Sequence, residues 1–171
     1  MKKLVILCIK DDSISTELVR ELLLKLEGTT FLKQYTTNKH ESEIYEIVPS
    51  RTFFDMVEEC KFFEFHDVAG AFYGTPHNRR REGENITLML NSVETALEIK
   101  KYSSKAITIY VLPEEEKAEF CKTKFEWTDP NTKCKLLDFL VAYNNVQEAT
   151  EKIERIIHFM SENAIYCDEI M

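Results

Sequence analysis

Phe53-Phe54-Asp55-Met56, then Phe62-Phe63-Glu64-Phe65, then Gly70-Ala71-Phe72-Tyr73-Gly74-Thr75 decide how this chain is read. From Phe31 to about Thr75 the sequence holds short alternating pieces and one short helix near Phe53 to Cys60, a pattern that suits a small β-rich lobe. The flanking sequence has a different rhythm. Leu4 to Ile9 is a continuous apolar run, as expected of a parallel strand covered on both faces, and Ile14, Leu18, Leu22 and Leu26 then recur at helical spacing, with Gly28 as the stop. Beyond the lobe come Ile86 to Leu90, a helix from Ser92 to Lys101, Ala106 to Leu112, a helix after Pro113, Phe139 to Ala142, and a helix from Asn145 to about Ser161. Strand alternating with helix predicts an α/β fold with a parallel sheet.

The order and spacing of the opening stretch resemble the GMP-binding half of guanylate kinases, which carry a helix closing on Phe and Met, a Phe-Leu-Glu-Trp-like strand and a Gly-Asn-Tyr-Tyr-Gly-Thr/Ser hairpin. The resemblance extends to Leu112-Pro113 and to the run Leu137 to Asn145, and so spans almost the whole chain. It implies a P-loop kinase-like fold: a five-stranded parallel sheet flanked by helices, with an inserted acceptor-binding lobe. One guanylate kinase-like domain is expected over 1–171, with a core at 1–30 and 84–171 and the lobe at about 31–83.

Composition limits the partners. A chain of 171 residues with 44% hydrophobic content fills one domain, and a net charge of −8 repels polyanions, so nucleic acid is not expected. Lys2-Lys3 before Leu4 to Ile9 imitates a secretory signal, but the apolar core is too short, and no stretch reaches the roughly 18 apolar residues of a membrane span. A cytoplasmic protein without a membrane partner is expected. Cys8, Cys60, Cys121, Cys134 and Cys167 are odd in number and form no C-x-x-C pair, so reduced thiols and no metal are the expectation.

The donor half departs from the family. Where G-x-x-x-x-G-K-[ST] would cradle phosphates, the chain reads Ile9-Lys10-Asp11-Asp12-Ser13-Ile14-Ser15-Thr16. Ile9 and Ile14 stand at the two glycines, Ser15 stands at the lysine, and only Thr16, at the magnesium-binding hydroxyl, is kept. Branched side chains resist the backbone geometry that glycine supplies, and Asp12 offers its carboxylate as a helix cap in place of a phosphate. Met89 and Asn91 fall where the family has an acidic residue near the end of a strand. The arginine-rich lid is missing too, since no arginine lies between Arg81 and Arg155; Lys117, Lys122, Lys124, Lys133 and Lys135 are the remaining cations there.

The acceptor half keeps more. The resemblance implies that Glu64 accepts from the guanine N1–H and N2 amino edge, that Thr75 faces the base, and that Tyr45 and Tyr73 donate hydroxyls to the GMP phosphate. Tyr35-Thr36-Thr37-Asn38 resembles the family's Thr-Thr-Arg segment, which puts Thr37 at the acceptor site and Asn38 in place of a phosphate-binding arginine; Lys39, His40 and the run Arg79-Arg80-Arg81 are nearby charges. Asn91 can hydrogen-bond a base. Glu64 and Tyr73 also have plain structural readings, as a paired carboxylate and a packing ring, and His66 and His77 have no partner suggested by spacing.

Two functions follow from different classes. The first is a binding module that has given up ATP-dependent GMP phosphorylation and holds GMP or another guanine nucleotide, or a phosphorylated or acidic protein segment, with no cofactor. The second is an active guanylate kinase, ATP + GMP to ADP + GDP, with ATP and magnesium at a non-standard donor site.

Overall fold

The computed structural model describes residues 3–41, 43–77, 86–103, 105–122 and 137–163. In chain order the elements are β1 (Lys3–Ile9), a 3-10 turn (Asp12–Ile14), α1 (Ser15–Lys25), β2 (Thr29–Phe31), β3 (Gln34–Thr36), β4 (Tyr45–Ile47), α2 (Ser50–Glu58), β5 (Phe62–Val68) and β6 (Ala71–Pro76). They continue as β7 (Ile86–Leu90), α3 (Val93–Tyr102), β8 (Ile107–Pro113), a 3-10 turn (Glu114–Glu116), α4 (Lys117–Lys122), β9 (Phe139–Tyr143) and α5 (Val146–Asn163). Arg79 to Arg81, Lys124, Lys133, Lys135, Cys134 and Cys167 lie outside the described residues.

The predicted five-stranded parallel sheet is present, in the order β2-β7-β1-β8-β9. Its centre is β1, whose apolar run divides by the two-residue period of a strand. Val5 and Leu7 pack with Leu18 and Leu22 of α1 and with Ala149, Ile153 and Ile157 of α5. Leu4, Ile6 and Cys8 pack on the other face with Ala96 and Ile99 of α3. Full burial of each such side chain contributes about 1.5–3 kcal/mol, so the run that reads as a covered strand is the anchor of the core.

Polar residues tie the sheet at specific points. Asp138, just before β9, accepts from the Lys100 ammonium at 2.6 Å and from the backbone N–H and hydroxyl of Thr108 at 2.8 and 3.0 Å, which joins α3, β8 and β9. At the start of α5, Asn145 Oδ1 accepts from Glu148 N at 2.9 Å while the Glu148 carboxylate accepts from Asn144 N at 2.9 Å, a reciprocal cap. Gly28 does not close α1 directly. The helix ends at Lys25, Leu26 is extended, and Gly28 takes φ +70° to turn the chain into β2.

The lobe is a separate four-stranded sheet in the order β4-β3-β6-β5, with β3–β6 and β6–β5 antiparallel. One face is apolar and lies under α2, where Phe53, Met56 and Phe62 form a cluster with Tyr35 and Phe72. A bulge between Phe62 and Glu64 lets Phe62 enter this cluster while Glu64 pairs opposite Thr75. Gly74 is required by the same packing, because a Cβ there would lie 2.8 Å from the Phe62 ring. By the strand period, the other face carries Gln34, Thr36, Tyr45, Glu64, His66, Tyr73 and Thr75.

Candidate functional site

The polar face of the lobe meets the carboxyl ends of β7 and β1 and the start of α3, the place where ligands enter open parallel sheets. Glu64 Oε1 accepts from the Thr95 hydroxyl at 2.7 Å and lies 3.2 Å from the Thr75 hydroxyl. Thr75 is buried, and its oxygen lies the same 3.2 Å from Asn91 Oδ1, so its one proton has two acceptors to choose from. Gln34 Nε2 donates to Asn91 Oδ1 at 2.7 Å and to Thr75 Oγ1 at 3.0 Å. Asn91 is held in place by its backbone N–H, which donates to Leu7 O at 3.1 Å. Thr95 is oriented by Ser92, the N-cap of α3, whose hydroxyl oxygen accepts from Thr95 N at 3.2 Å.

Glu64, Thr75 and Asn91, singled out in the sequence, therefore form one network. Among the described residues Glu64 Oε2 has no hydrogen-bond partner, and Asn91 Nδ2 is buried without one. Gln34 and Thr95 were not predicted. The two-residue period of β3 places Gln34 beside Thr36 on the polar face, and Ser92-x-x-Thr95 is a helix-start pattern, so both carried a readable signal.

The far end of the face is a second cluster. The Tyr73 hydroxyl donates to Glu41 Oε1 at 2.5 Å and accepts from Asn38 Nδ2 at 3.1 Å, and Asn38 Nδ2 also donates to Glu41 Oε1 at 3.0 Å. Burial, followed by the Glu41 carboxylate, pushes the Tyr73 phenol above its ordinary range. Tyr45 meets Tyr73 edge to face at 5.8 Å, and His66 stacks on Tyr73 with ring centroids 5.9 Å apart. Thr37 is placed differently. Its hydroxyl accepts from Phe72 N at 2.9 Å and its N–H donates to Phe72 O at 3.0 Å, so it extends the β3–β6 ladder.

At the donor side, the segment after β1 is a 3-10 turn leading directly into α1. Asp11 serves this turn: its Oδ1 accepts from Ser13 N at 2.9 Å, which holds its carboxyl below the usual range. The side chain of Asp12 lies outside the described residues. Ile14 is the N-cap of α1 and makes no side-chain cap bond. Ser15, at the lysine's place, is 2% exposed, and its hydroxyl has no partner among the described residues. The nearby cation, Lys10, is bound by Glu116, which raises its pKa. Ile9 packs against the main core and Met89 is buried in the second cluster with Leu4 and Ile6. Thr16 opens instead onto a cleft of about 1320 Å³, which it lines with Arg20, Phe31, Ile44 and Met56 and whose lining includes neither Glu64 nor Tyr73.

No protein-family model matches the chain. Whole-length relatives do. The guanylate kinase of Thermotoga maritima is 25% identical across 91% of this chain and 86% of its own length, and that of Prochlorococcus marinus is 26% identical across 91% and 97%. The guanylate kinase of Clostridium tetani is 28% identical across 81% and 76%. Among solved structures, guanylate kinase from Anaplasma phagocytophilum superposes with a TM-score of 0.62 at 19% identity, covering 92% of this chain and 85% of its own. The chain is similar to guanylate kinases over most of its length and shares their fold. Within that fold, the described lobe carries Glu64, Tyr73, Thr75 and Tyr45 on one face, while residues 9–16 read without the glycines and lysine of G-x-x-x-x-G-K-[ST]. No described helix is long and apolar enough to cross a membrane, and no described group of three or more His, Cys, Asp or Glu side chains could hold a metal ion.

Proposed function

We propose that this guanylate kinase-like chain is a guanine-binding module that does not transfer a phosphoryl group from ATP. The observation that carries the reading is the state of the donor turn: the residue at the lysine's place is a buried serine, and the neighbouring ammonium of Lys10 is already held by Glu116. A triphosphate at this turn has no cation directed toward it by the described residues, and phosphoryl transfer depends almost wholly on positioning and charge stabilisation. Asp11 is solvent-accessible, so its charge is screened and the case rests on the missing cation.

Recognition is assigned to Glu64, whose Oε2 has no partner among the described residues and suits the N–H edge of guanine. Calorimetric titration with guanosine and GMP against adenosine and AMP tests the assignment. Guanine ligands are expected to bind and adenine ligands to bind weakly. Glu64→Gln is expected to weaken guanine binding by about 10- to 150-fold, the scale of one charge-assisted hydrogen bond of about 1.5–3 kcal/mol. Equal binding of guanine and adenine ligands by the wild type refutes it.

A second reading, an active guanylate kinase working through a non-standard donor site with ATP and magnesium, is favoured by the relatives, all of which are named guanylate kinases. ADP formation from ATP, magnesium and GMP, abolished with the acceptor residues, supports that reading over the first. Silence toward every nucleotide and nucleoside leaves a phosphorylated or acidic protein segment as the ligand class to pursue.

A further inference from the structure

We propose that Glu41 is a built-in anion at the Tyr73 end of the acceptor face, so that the lobe takes an uncharged guanine nucleoside or base in preference to a nucleotide. This rests on the guanine-binding reading above and specifies its ligand.

The two ends of the face offer opposite things. At the Glu64 end an acceptor, Oε2, is unused among the described residues. At the Tyr73 end the donors of Tyr73 and Asn38 are used up. The phenol has one proton, and it goes to Glu41 Oε1 at 2.5 Å. The Asn38 amide has two, and they go to the same carboxylate oxygen at 3.0 Å and to the phenol oxygen at 3.1 Å. Asn38 Oδ1 is also engaged, accepting from His40 N at 3.1 Å. Two polar side chains, Tyr73 and Asn38, thus close on each other and on the half-buried Glu41 carboxylate, and the Thr36 hydroxyl lies within reach of the phenol as well. The shortest of these contacts has the length of a charge-assisted hydrogen bond, as expected of a phenol donating to an ionised acid.

A ligand phosphate directed to Tyr73 would have to evict Glu41, or else stand beside it with the same sign of charge and with the donors of Tyr73 and Asn38 already committed. An uncharged ribose or a bare base has no such conflict. It can present its N–H edge to Glu64 and leave the Glu41 cluster intact. The exposed Lys39 and His40 stand next to Asn38 in the chain, and neither is paired to Glu41 in the described contacts.

The test is calorimetric titration of the full chain with guanosine and with GMP, on the wild type and on Glu41→Gln and Glu41→Ala, each checked for folding by thermal unfolding. Wild type is expected to bind guanosine more tightly than GMP. Both variants are expected to raise GMP affinity about tenfold or more while leaving guanosine within about threefold, because only the phosphate meets the removed charge. Wild-type protein that binds GMP more tightly than guanosine overturns the Glu41 assignment and leaves guanine reading by Glu64 standing. A GMP-to-guanosine ratio unmoved in folded variants overturns it in the same way. No binding of either ligand, or equal binding of adenosine, overturns the guanine reading itself and this proposal with it.

Discussion

Gly74→Ala tests whether the lobe's two faces are coupled through Phe62. The added Cβ would stand 2.8 Å from Cδ1 and Cε1 of Phe62 and 3.0 Å from Cζ, where carbon atoms prefer about 3.5–4.0 Å. The ring has little room to retreat. Phe62 is 8% exposed, Phe53 behind it is fully buried, and the two rings stack with centroids 4.8 Å apart. Overpacking of this kind costs about 1–3 kcal/mol. Alanine also reduces the freedom of the unfolded chain, which returns about 0.4–1 kcal/mol because Gly74 does not need a positive φ. The net loss is about 1–2 kcal/mol, or a fall in Tm of about 2–8 °C for a domain of this size. Thermal and urea unfolding read the loss directly, and Phe62→Leu combined with Gly74→Ala is expected to recover part of it, as contacting residues do in a double-mutant cycle. An unchanged or higher Tm for Gly74→Ala would refute the packing account. Gly74 also sits between Tyr73 and Thr75, so the same shift is expected to weaken guanine binding.

Other expectations are local. Ala69 takes φ +53° beside Gly70 at +85° in the two-residue turn joining β5 and β6, a conformation that asparagine tolerates and alanine does not, so Ala69→Asn should stabilise by about 0.5–1 kcal/mol in urea unfolding. The Glu148 carboxyl is lowered from 4.5 to about 2 by Lys152 and by the N–H groups of Asn144. Its contribution is therefore complete above about pH 4.5 and lost as pH falls toward 2, so the Tm gap between wild type and Glu148→Gln should be widest near neutrality and close toward pH 2; a pH-independent gap would contradict the cap. Burial pushes the Cys8 thiol up to about 12, so iodoacetamide at pH 8 should label the exposed Cys60 and Cys121 and spare Cys8 in peptide mapping of native protein.

The sheet was legible because its physics is local and periodic. A six-residue apolar run can satisfy its backbone only as a covered strand, and Leu18 and Leu22 one turn apart can only be a buried helix face. The acceptor network was half legible. Glu64, Thr75 and Asn91 were found by their order along the chain, but Thr95 and Gln34 join them through the docking of the lobe on β7 and α3, which no spacing within one segment reports. Glu41 was invisible for the same reason. It lies in the connection between β3 and β4, with no periodicity to assign it a face, and acquires its role from Tyr73, 32 residues away. At the donor turn the sequence offered Asp12 as a carboxylate cap, and its side chain lies outside the described residues; the neighbouring Asp11 uses its carboxylate on Ser13 within the turn, a local contact that two adjacent aspartates do not distinguish by spacing.

The residues proposed to read the base also join the two sheets, and this constrains how a ligand can bind. Glu64 and Thr75 belong to the lobe, Asn91 and Thr95 to the core, and the bonds Thr95 to Glu64 and Gln34 to Asn91 are part of what holds lobe to core. A guanine that takes Glu64 through its free Oε2 adds to this network, whereas one that competes for Oε1 must first break a bond between the sheets. Exchanging hydrogen bonds gains little, about 0.5–1.5 kcal/mol each at best, and loosening the lobe would offset even that. Recognition through Oε2 therefore has a structural consequence. The bound lobe should be more firmly seated on the core than the free one, and the ligand's identity should be read where the two sheets meet.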